Sequence, residues 1–350
     1  MALQKSVLNK EIISQQLKLH YHVSVREVQH LKMGSANCYV IFSDAGRYFL
    51  KEFQKGFSME DLMREADLAD FLIAHGIPTA RFYKTKDGFP GLIYNNSLIC
   101  LEEFIEGTGY EYDNFPDNML PELASLLGKM HHVLRDYPLP TDMGKAWLDR
   151  LSPEAIIAGY DKLIGIALQN HEDPNCNRIL SDLQYKKSLV ERSEQFKRYY
   201  ENITYCPTHA DYQGCQVIGL GNRIKAIIDF SSARNLPAVW EIMRSFTQSH
   251  KQCRQNAVID VNAFCSYVNQ YMQHSPLTDA DLISMPYVYL FQLCISQYGY
   301  KQYLLTDSEN KEELLQFAFW RTAICRELDH KADEISEKLL QMRNTYTTER

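Results

Sequence analysis

Apolar residues recur at helical spacing through the first 19 positions, with Leu8, Ile12, Ile13 and Leu17 on one face, which predicts an opening helix. The period then shortens. Residues 23–31, 38–42 and 48–53 are brief runs rich in β-branched and aromatic side chains, the composition of strands. Between the last two, Ser43-Asp44-Ala45-Gly46-Arg47 supplies a hairpin turn, with Gly46 at the permissive position. Ser58 is a candidate N-cap for a helix whose apolar face is Leu62, Ala66, Ala69, Leu72 and Ile73; Gly76 and Pro78 stop it. Strand character returns at 81–83, 91–94 and 98–104.

Beyond Gly107 the helical period dominates, over 120–134, 180–199, 239–250, 261–272, 282–305 and 312–342. One hairpin interrupts it, with short apolar strands at 217–220 and 224–230. No solenoid repeat is present. The pattern predicts an α+β chain that breaks near 103–107. Residues 1–103 would form a small sheet-plus-helix lobe and 104–350 a larger, mainly helical lobe. A length of 350 residues suits two domains or two lobes.

Charge and cysteine content narrow the class. Lys plus Arg number 37 against 44 Asp plus Glu, a net charge of −7, so there is no basic excess to neutralise a nucleic-acid backbone. Nine cysteines are scattered without a C-x-x-C pair, and the lone H-x-x-C of His250 and Cys253 has no second pair to complete a zinc site. Buried, reduced thiols are expected. The first residues lack a basic segment followed by an apolar one, and the most apolar stretch, 285–295, falls short of the ~20 residues that span a bilayer. A cytoplasmic protein without nucleic-acid or membrane partners is the expectation.

The chemistry concentrates in Thr208-His209-Ala210-Asp211-Tyr212-Gln213-Gly214-Cys215-Gln216, followed by Ile227-Ile228-Asp229-Phe230-Ser231. An H-x-D with a carboxamide after four intervening residues is the spacing of a kinase catalytic loop, in which the Asp receives a hydroxyl proton and the carboxamide holds magnesium. A second Asp at the end of an apolar strand supplies a further hard oxygen ligand. Singly, an Asp after a strand is an ordinary turn or cap residue. The ordered pair across a predicted hairpin is the stronger signal.

These motifs resemble the aminoglycoside phosphotransferase/choline kinase superfamily, whose loop reads H-G-D before an Asn and whose later motif reads I-D-F or I-D-W. Here they stand as His209-Ala210-Asp211 and Ile228-Asp229-Phe230. Leu127-Gly128-Lys129-Met130-His131 is similar to the family's L-x-x-x-H helix, and the likeness covers roughly residues 25–250. It implies a bilobal protein-kinase-like fold and Mg²⁺-dependent transfer of the γ-phosphoryl of ATP or GTP to a hydroxyl of an amino alcohol, aminoglycoside or sugar-like acceptor. It further implies Asp211 as the catalytic residue, Gln216 and Asp229 as metal ligands, Lys51 on the nucleotide phosphates, and Glu65 as the group that orients Lys51. Gly34-Ser35-Ala36-Asn37 would be the nucleotide-covering loop, with Ser35 at the nucleotide. The base would lie along 101–107 through backbone groups, with Glu102 and Glu103 read as solvated hinge charges.

Two positions depart from the family pattern. Gln216 replaces Asn and moves the amide oxygen one methylene outward, while magnesium demands near-ideal geometry. Ala210 replaces Gly, which is tolerable where φ stays negative. Glu241 and Arg244 match the helix after the metal motif, where an acidic residue braces the loop; the plain alternative is a helix-start carboxylate. His131 and His132 read as packing or hydrogen-bonding residues, and the Tyr/Phe run over 287–303 as core more than acceptor wall. The rival reading is a kinase-like binding or structural protein with weak catalysis, as in spore-coat relatives of this fold. A protein kinase ranks below both, since 231–233 leave no room for an activation loop. The acceptor, the choice of ATP or GTP and the oligomeric state stay open.

Overall fold

In the first segment of the chain, residues 10–21 coil because Asn9 caps them: its side chain accepts the Ile12 N–H at 2.8 Å, and His22 ends the helix at φ 58°. The computed structural model describes residues 5–31, 36–138, 152–307 and 309–348. The chain divides into two compact units, Ala2–Gly109 with Gln216–Ala233, and Tyr110–Cys215 with Arg234–Arg350.

The first unit holds helix α1 (Lys10–Tyr21) and a five-stranded antiparallel sheet of β1 (Val25–Leu31), β2 (Asn37–Ser43), β3 (Gly46–Glu52), β4 (Gly91–Tyr94) and β5 (Ser97–Glu103), in the order β1-β2-β3-β5-β4. Period-two alternation gives the sheet two apolar faces. Tyr39, Ile41, Leu50, Ile99 and Leu101 pack with Ile13 and Leu17 of α1. Phe53, Leu98 and Cys100 pack with Leu62, Ala66 and Ala69 of α2 (Met59–Ala74), which starts at a Ser58/Asp61 capping box. Full burial of each such aliphatic side chain stabilises by about 1.5–3 kcal/mol. Lys51 pairs in register with Cys100, so Lys51, Cys100 and Glu102 fall on the α2 side.

After the two-residue strand β6 (Thr108–Gly109) the chain builds the second unit with α3 (Leu120–Leu134), α4 (Pro153–Gln169), α5 (Cys176–Glu191) and β7 (Tyr205–Thr208). It then returns to the first unit as the hairpin β8 (Val217–Leu220) and β9 (Arg223–Ile227), and β6 pairs with the free edge of β8. Gly107 makes that close approach feasible: a Cβ there would sit 2.3 Å from the Gly219 carbonyl oxygen. Ile227 also bridges Thr79. The observed division is thus discontinuous, where the sequence suggested one break after residue 103, because backbone pairing ties 216–233 to the first unit.

The second unit resumes with β10 (Arg234–Pro237), antiparallel to β7, and then α6 (Ala238–Ser249), α7 (Lys251–Asn256), α8 (Val261–Met272), α9 (Asp279–Ile295), α10 (Tyr300–Leu305) and α11 (Lys311–Thr348). The helix expected over 282–305 breaks over 296–299, and Gly299, at φ 89°, starts the next helix where a Cβ would meet the Leu314 carbonyl oxygen at 2.5 Å. The one expected over 180–199 turns from α to 3₁₀ after Glu191. All nine cysteines are free, seven of them buried. Among the described residues no helix is long and apolar enough to cross a membrane.

Candidate active site

Lys51, near the end of β3, donates from Nζ to Asp229 Oδ1 at 2.8 Å. Asp229 directly follows the strand Arg223–Ile227 and Ile228, and sits at φ 63°, a conformation that short Asp side chains tolerate. Ser231 Oγ donates to the same carboxylate oxygen at 2.8 Å. Burial opposes charge on Lys51, but the carboxylates of Asp229, Glu65 and Glu102 outweigh it and hold its pKa well above the ordinary value.

Glu65 on α2 is 5% exposed. Burial pushes its carboxyl up to about 8, against the pull of Lys51 and with the added repulsion of Asp229 and Glu102. Its Oε2 is buried and has no hydrogen-bond partner among the described residues. Lys51 therefore takes Asp229 as its hydrogen-bonded partner, with Glu65 close enough to act through its field. Glu102, which the sequence suggested was a solvated hinge charge, also faces this ammonium; burial raises its pKa, and it accepts the Cys100 S–H at 3.2 Å.

Gln216 ends a short 3₁₀ turn, and its carbonyl accepts the Ile228 N–H at 2.9 Å. Since Val217 pairs with Ile227, Gln216 and Asp229 stand at the same end of the hairpin. A carboxylate and an amide oxygen are hard donors of the kind magnesium takes. Among the described residues no three His, Cys, Asp or Glu gather to hold a metal alone. Gln216 and Asp229 alone would leave most positions of a six-coordinate ion to other oxygen ligands. Ser35, with residues 32–34, lies outside the described residues.

In the second unit, the loop after β7 is tied down at both ends. The fully buried Glu241 of α6 accepts the His209 N–H at 3.0 Å and the Tyr212 N–H at 3.5 Å. His131 bridges Glu241 Oε2 and the Tyr271 hydroxyl, both at 2.9 Å. Burial alone would make Glu241 a weaker acid, but hydrogen bonds and charge from His131 and His209 hold it below the usual carboxylate range. The Tyr212 hydroxyl donates to the Leu123 carbonyl at 2.9 Å, and the Gly214 N–H to Ser249 Oγ at 2.8 Å. Asp211 accepts hydrogen bonds from Arg244 Nη2 and, at 3.3 Å, from Gln213 Nε2. Ala210 has φ 65°, so this position does require the left-handed backbone that the family's Gly supplies without strain.

Residues 27–260 match the family model described as phosphotransferase enzyme family. The chain belongs to that family. A homoserine kinase from Zymomonas mobilis subsp. mobilis is 24% identical over 209 residues, and the match spans 60% of each chain. Among solved structures, a spectinomycin phosphotransferase in complex with ADP and spectinomycin superposes with a TM-score of 0.63 at 16% identity, covering 96% of this chain and 100% of that one. An amicoumacin kinase with AMP-PNP and Ca²⁺ gives 0.60 at 16%, covering 91% and 94%. The α+β architecture is thus the protein-kinase-like fold of small-molecule phosphotransferases.

In this phosphotransferase-family chain, the first unit gathers Lys51, Glu65, Asp229 and, at the hairpin end, Gln216; Asp211 stands on the braced loop of the second. The brace expected of Glu241 is present and includes His131. Ser249 and Gln213 were missed. Neither has a sequence signal, because each is defined by a hydrogen bond that only the fold creates.

Proposed function

We propose that this chain is a Mg²⁺-dependent phosphotransferase that moves the γ-phosphoryl of ATP or GTP to a hydroxyl of a small molecule. The observation that carries the reading is the Lys51–Asp229 ion pair, set against the carboxyls of Glu65 and Glu102 and beside Gln216. A structural role needs no buried ammonium among three carboxyl groups; a site for nucleotide phosphates and a divalent cation uses both kinds of group.

In this reading Asp229 and Gln216 hold the metal, which supplies charge neutralisation on the phosphate oxygens. Lys51 offers its ammonium to the same phosphates. Asp229 holds that ammonium through its hydrogen bond, with the buried carboxyls of Glu65 and Glu102 nearby. Asp211 receives the proton of the attacking hydroxyl, with Arg244 and Gln213 fixing its carboxylate and Glu241 fixing the loop that carries it. Positioning and electrostatics account for most of the acceleration in such transfers.

Equilibrium titration with ATP and GTP, each with and without Mg²⁺, tests this. Binding is expected to be magnesium-dependent and to weaken at least ~30-fold in Asp229→Asn, the loss of a charged ligand. Absence of magnesium-dependent nucleotide binding contradicts the reading. A kinase-like binding protein, which Gln216 and the strained Ala210 would suit, binds nucleotide yet shows no acceptor-stimulated turnover.

A further inference from the structure

Three arginines from three helices of the second unit gather around the buried Tyr289, and one of them, Arg244, reaches Asp211. Arg244 of α6 donates to Asp211 itself. Arg254 of α7 stacks with its guanidinium carbon 4.1 Å from the Trp320 ring and 5.1 Å from the Tyr112 ring. Arg321 of α11 lies 5.8 Å from the Phe317 ring, which Arg254 approaches to 5.9 Å from its own position. The buried Tyr289 neighbours all three guanidinium groups, and Tyr112 neighbours both Asp211 and Arg254.

Arg244 is ion-paired with Asp211, whereas Arg254 has only the field of Asp113 and Arg321 has neutral hydrogen-bond partners. Arg254 Nε donates to the Tyr112 carbonyl at 2.9 Å; Arg321 donates to Ser296 Oγ at 2.9 Å and Gln292 Oε1 at 3.3 Å. Among the described residues neither is ion-paired with a carboxylate, and burial lowers the pKa of both. Arg244 Nη1 and Arg254 Nη1 are buried with no hydrogen-bond partner among the described residues. Buried donors left unmade are costly and uncommon, and here two of them belong to charged groups beside a proposed catalytic carboxylate.

We propose that the acceptor carries an anionic group, a carboxylate or a phosphate, which Arg254 and Arg321 bind next to Asp211. The inference rests on the phosphotransferase reading and narrows its substrate class. The planar guanidinium fork matches both oxyanions, whereas a cationic acceptor would add to an existing positive excess. The cationic amino-alcohol or aminoglycoside acceptor that the family resemblance implied is disfavoured here, because among the described residues Arg254 and Arg321 carry unpaired positive charge.

The test compares acceptors that share a hydroxyl and differ in the anion: L-homoserine against 3-amino-1-propanol, and D-glycerate or glycerol 3-phosphate against glycerol. Each is assayed for nucleoside-diphosphate release with Mg-ATP or Mg-GTP. Anionic members are expected to exceed their counterparts at least ~10-fold in kcat/KM. Arg254→Gln and Arg321→Gln should raise the acceptor KM by about 10–100-fold with a much smaller change in kcat, and Arg254→Lys should recover part of that loss. Whether the carboxylate or the phosphate member wins identifies the anion.

Equal or better use of the uncharged or cationic members overturns the inference while leaving the phosphotransferase reading intact. Where no member stimulates turnover, binding of the same compounds to the Mg-AMP-PNP complex decides: arginine-dependent binding of an anionic member supports the inference, and its absence overturns it. Failure to bind magnesium nucleotide, measured before any acceptor is added, instead removes the underlying reading.

Discussion

Lys51 and Asp229 stand 178 residues apart in the chain and 2.8 Å apart in space. Removing the cation leaves Asp229, Glu65 and Glu102 facing one another in a desolvated region. Lys51→Met is therefore expected to destabilise the nucleotide-free protein by about 2–4 kcal/mol, the range for breaking a largely buried pair. Denaturant unfolding measures it, and a loss below ~0.5 kcal/mol would mean the pair is effectively solvated.

Glu65 gives the stability a pH signature. Its folded pKa, raised to about 8, exceeds the ordinary carboxyl value of 4.5. The folded chain thus holds a proton that the unfolded chain releases between those two values. The contribution is fully present below about pH 4.5 and is lost as pH rises through 8, with a limiting slope of ~1.4 kcal/mol per pH unit. Glu65→Gln should remove that slope: the Tm of the wild type relative to the variant should fall steadily from pH 5 to 8.5. A constant difference would show that Glu65 is ionised throughout.

Ala210 occupies φ 65° in the loop that carries Asp211. The left-handed region costs a residue with a Cβ roughly 1–2 kcal/mol, partly offset by the greater unfolded-state entropy of glycine. Ala210→Gly is expected to raise stability by about 0.5–1 kcal/mol and to leave magnesium-nucleotide affinity unchanged. Thermal unfolding and titration check both, and a destabilised Gly variant would contradict the backbone assignment.

Glu241 and His131 form one buried unit that holds two backbone N–H groups of the same loop. Glu241→Gln and His131→Gln should each destabilise by about 2–4 kcal/mol, and the double variant by at least ~1 kcal/mol less than their sum. Strict additivity in a double-mutant cycle would dissolve the proposed brace.

The first unit was the most legible part of the sequence. Its strands stand out as short β-branched and aromatic runs, its turn carries Gly46, and α2 announces itself with Ser58. Helix α4 was overlooked although Ser152 and Pro153 mark its start: two glycines and a loose apolar stripe blur its period. The strand β10 is Arg-Asn-Leu-Pro, too polar to read as a strand, and is extended because β7 pairs with it. The candidate residues within motifs, Asp211, Gln216 and Asp229, could be singled out in advance. Glu102 could not, because its inward direction follows from the β3–β5 register. Arg244, Arg254 and Arg321 share no spacing at all; the packing of three helices brings them together.

Acceptor-dependent release of nucleoside diphosphate, measured with the wild type and Asp211→Asn under saturating magnesium nucleotide, tests the phosphotransferase reading most directly. Stimulated release is predicted for the wild type, falling by about 10²–10⁴-fold in the variant while nucleotide affinity is preserved. Release that is indifferent to Asp211→Asn, or tight magnesium-nucleotide binding that no hydroxyl acceptor converts into turnover, would contradict it.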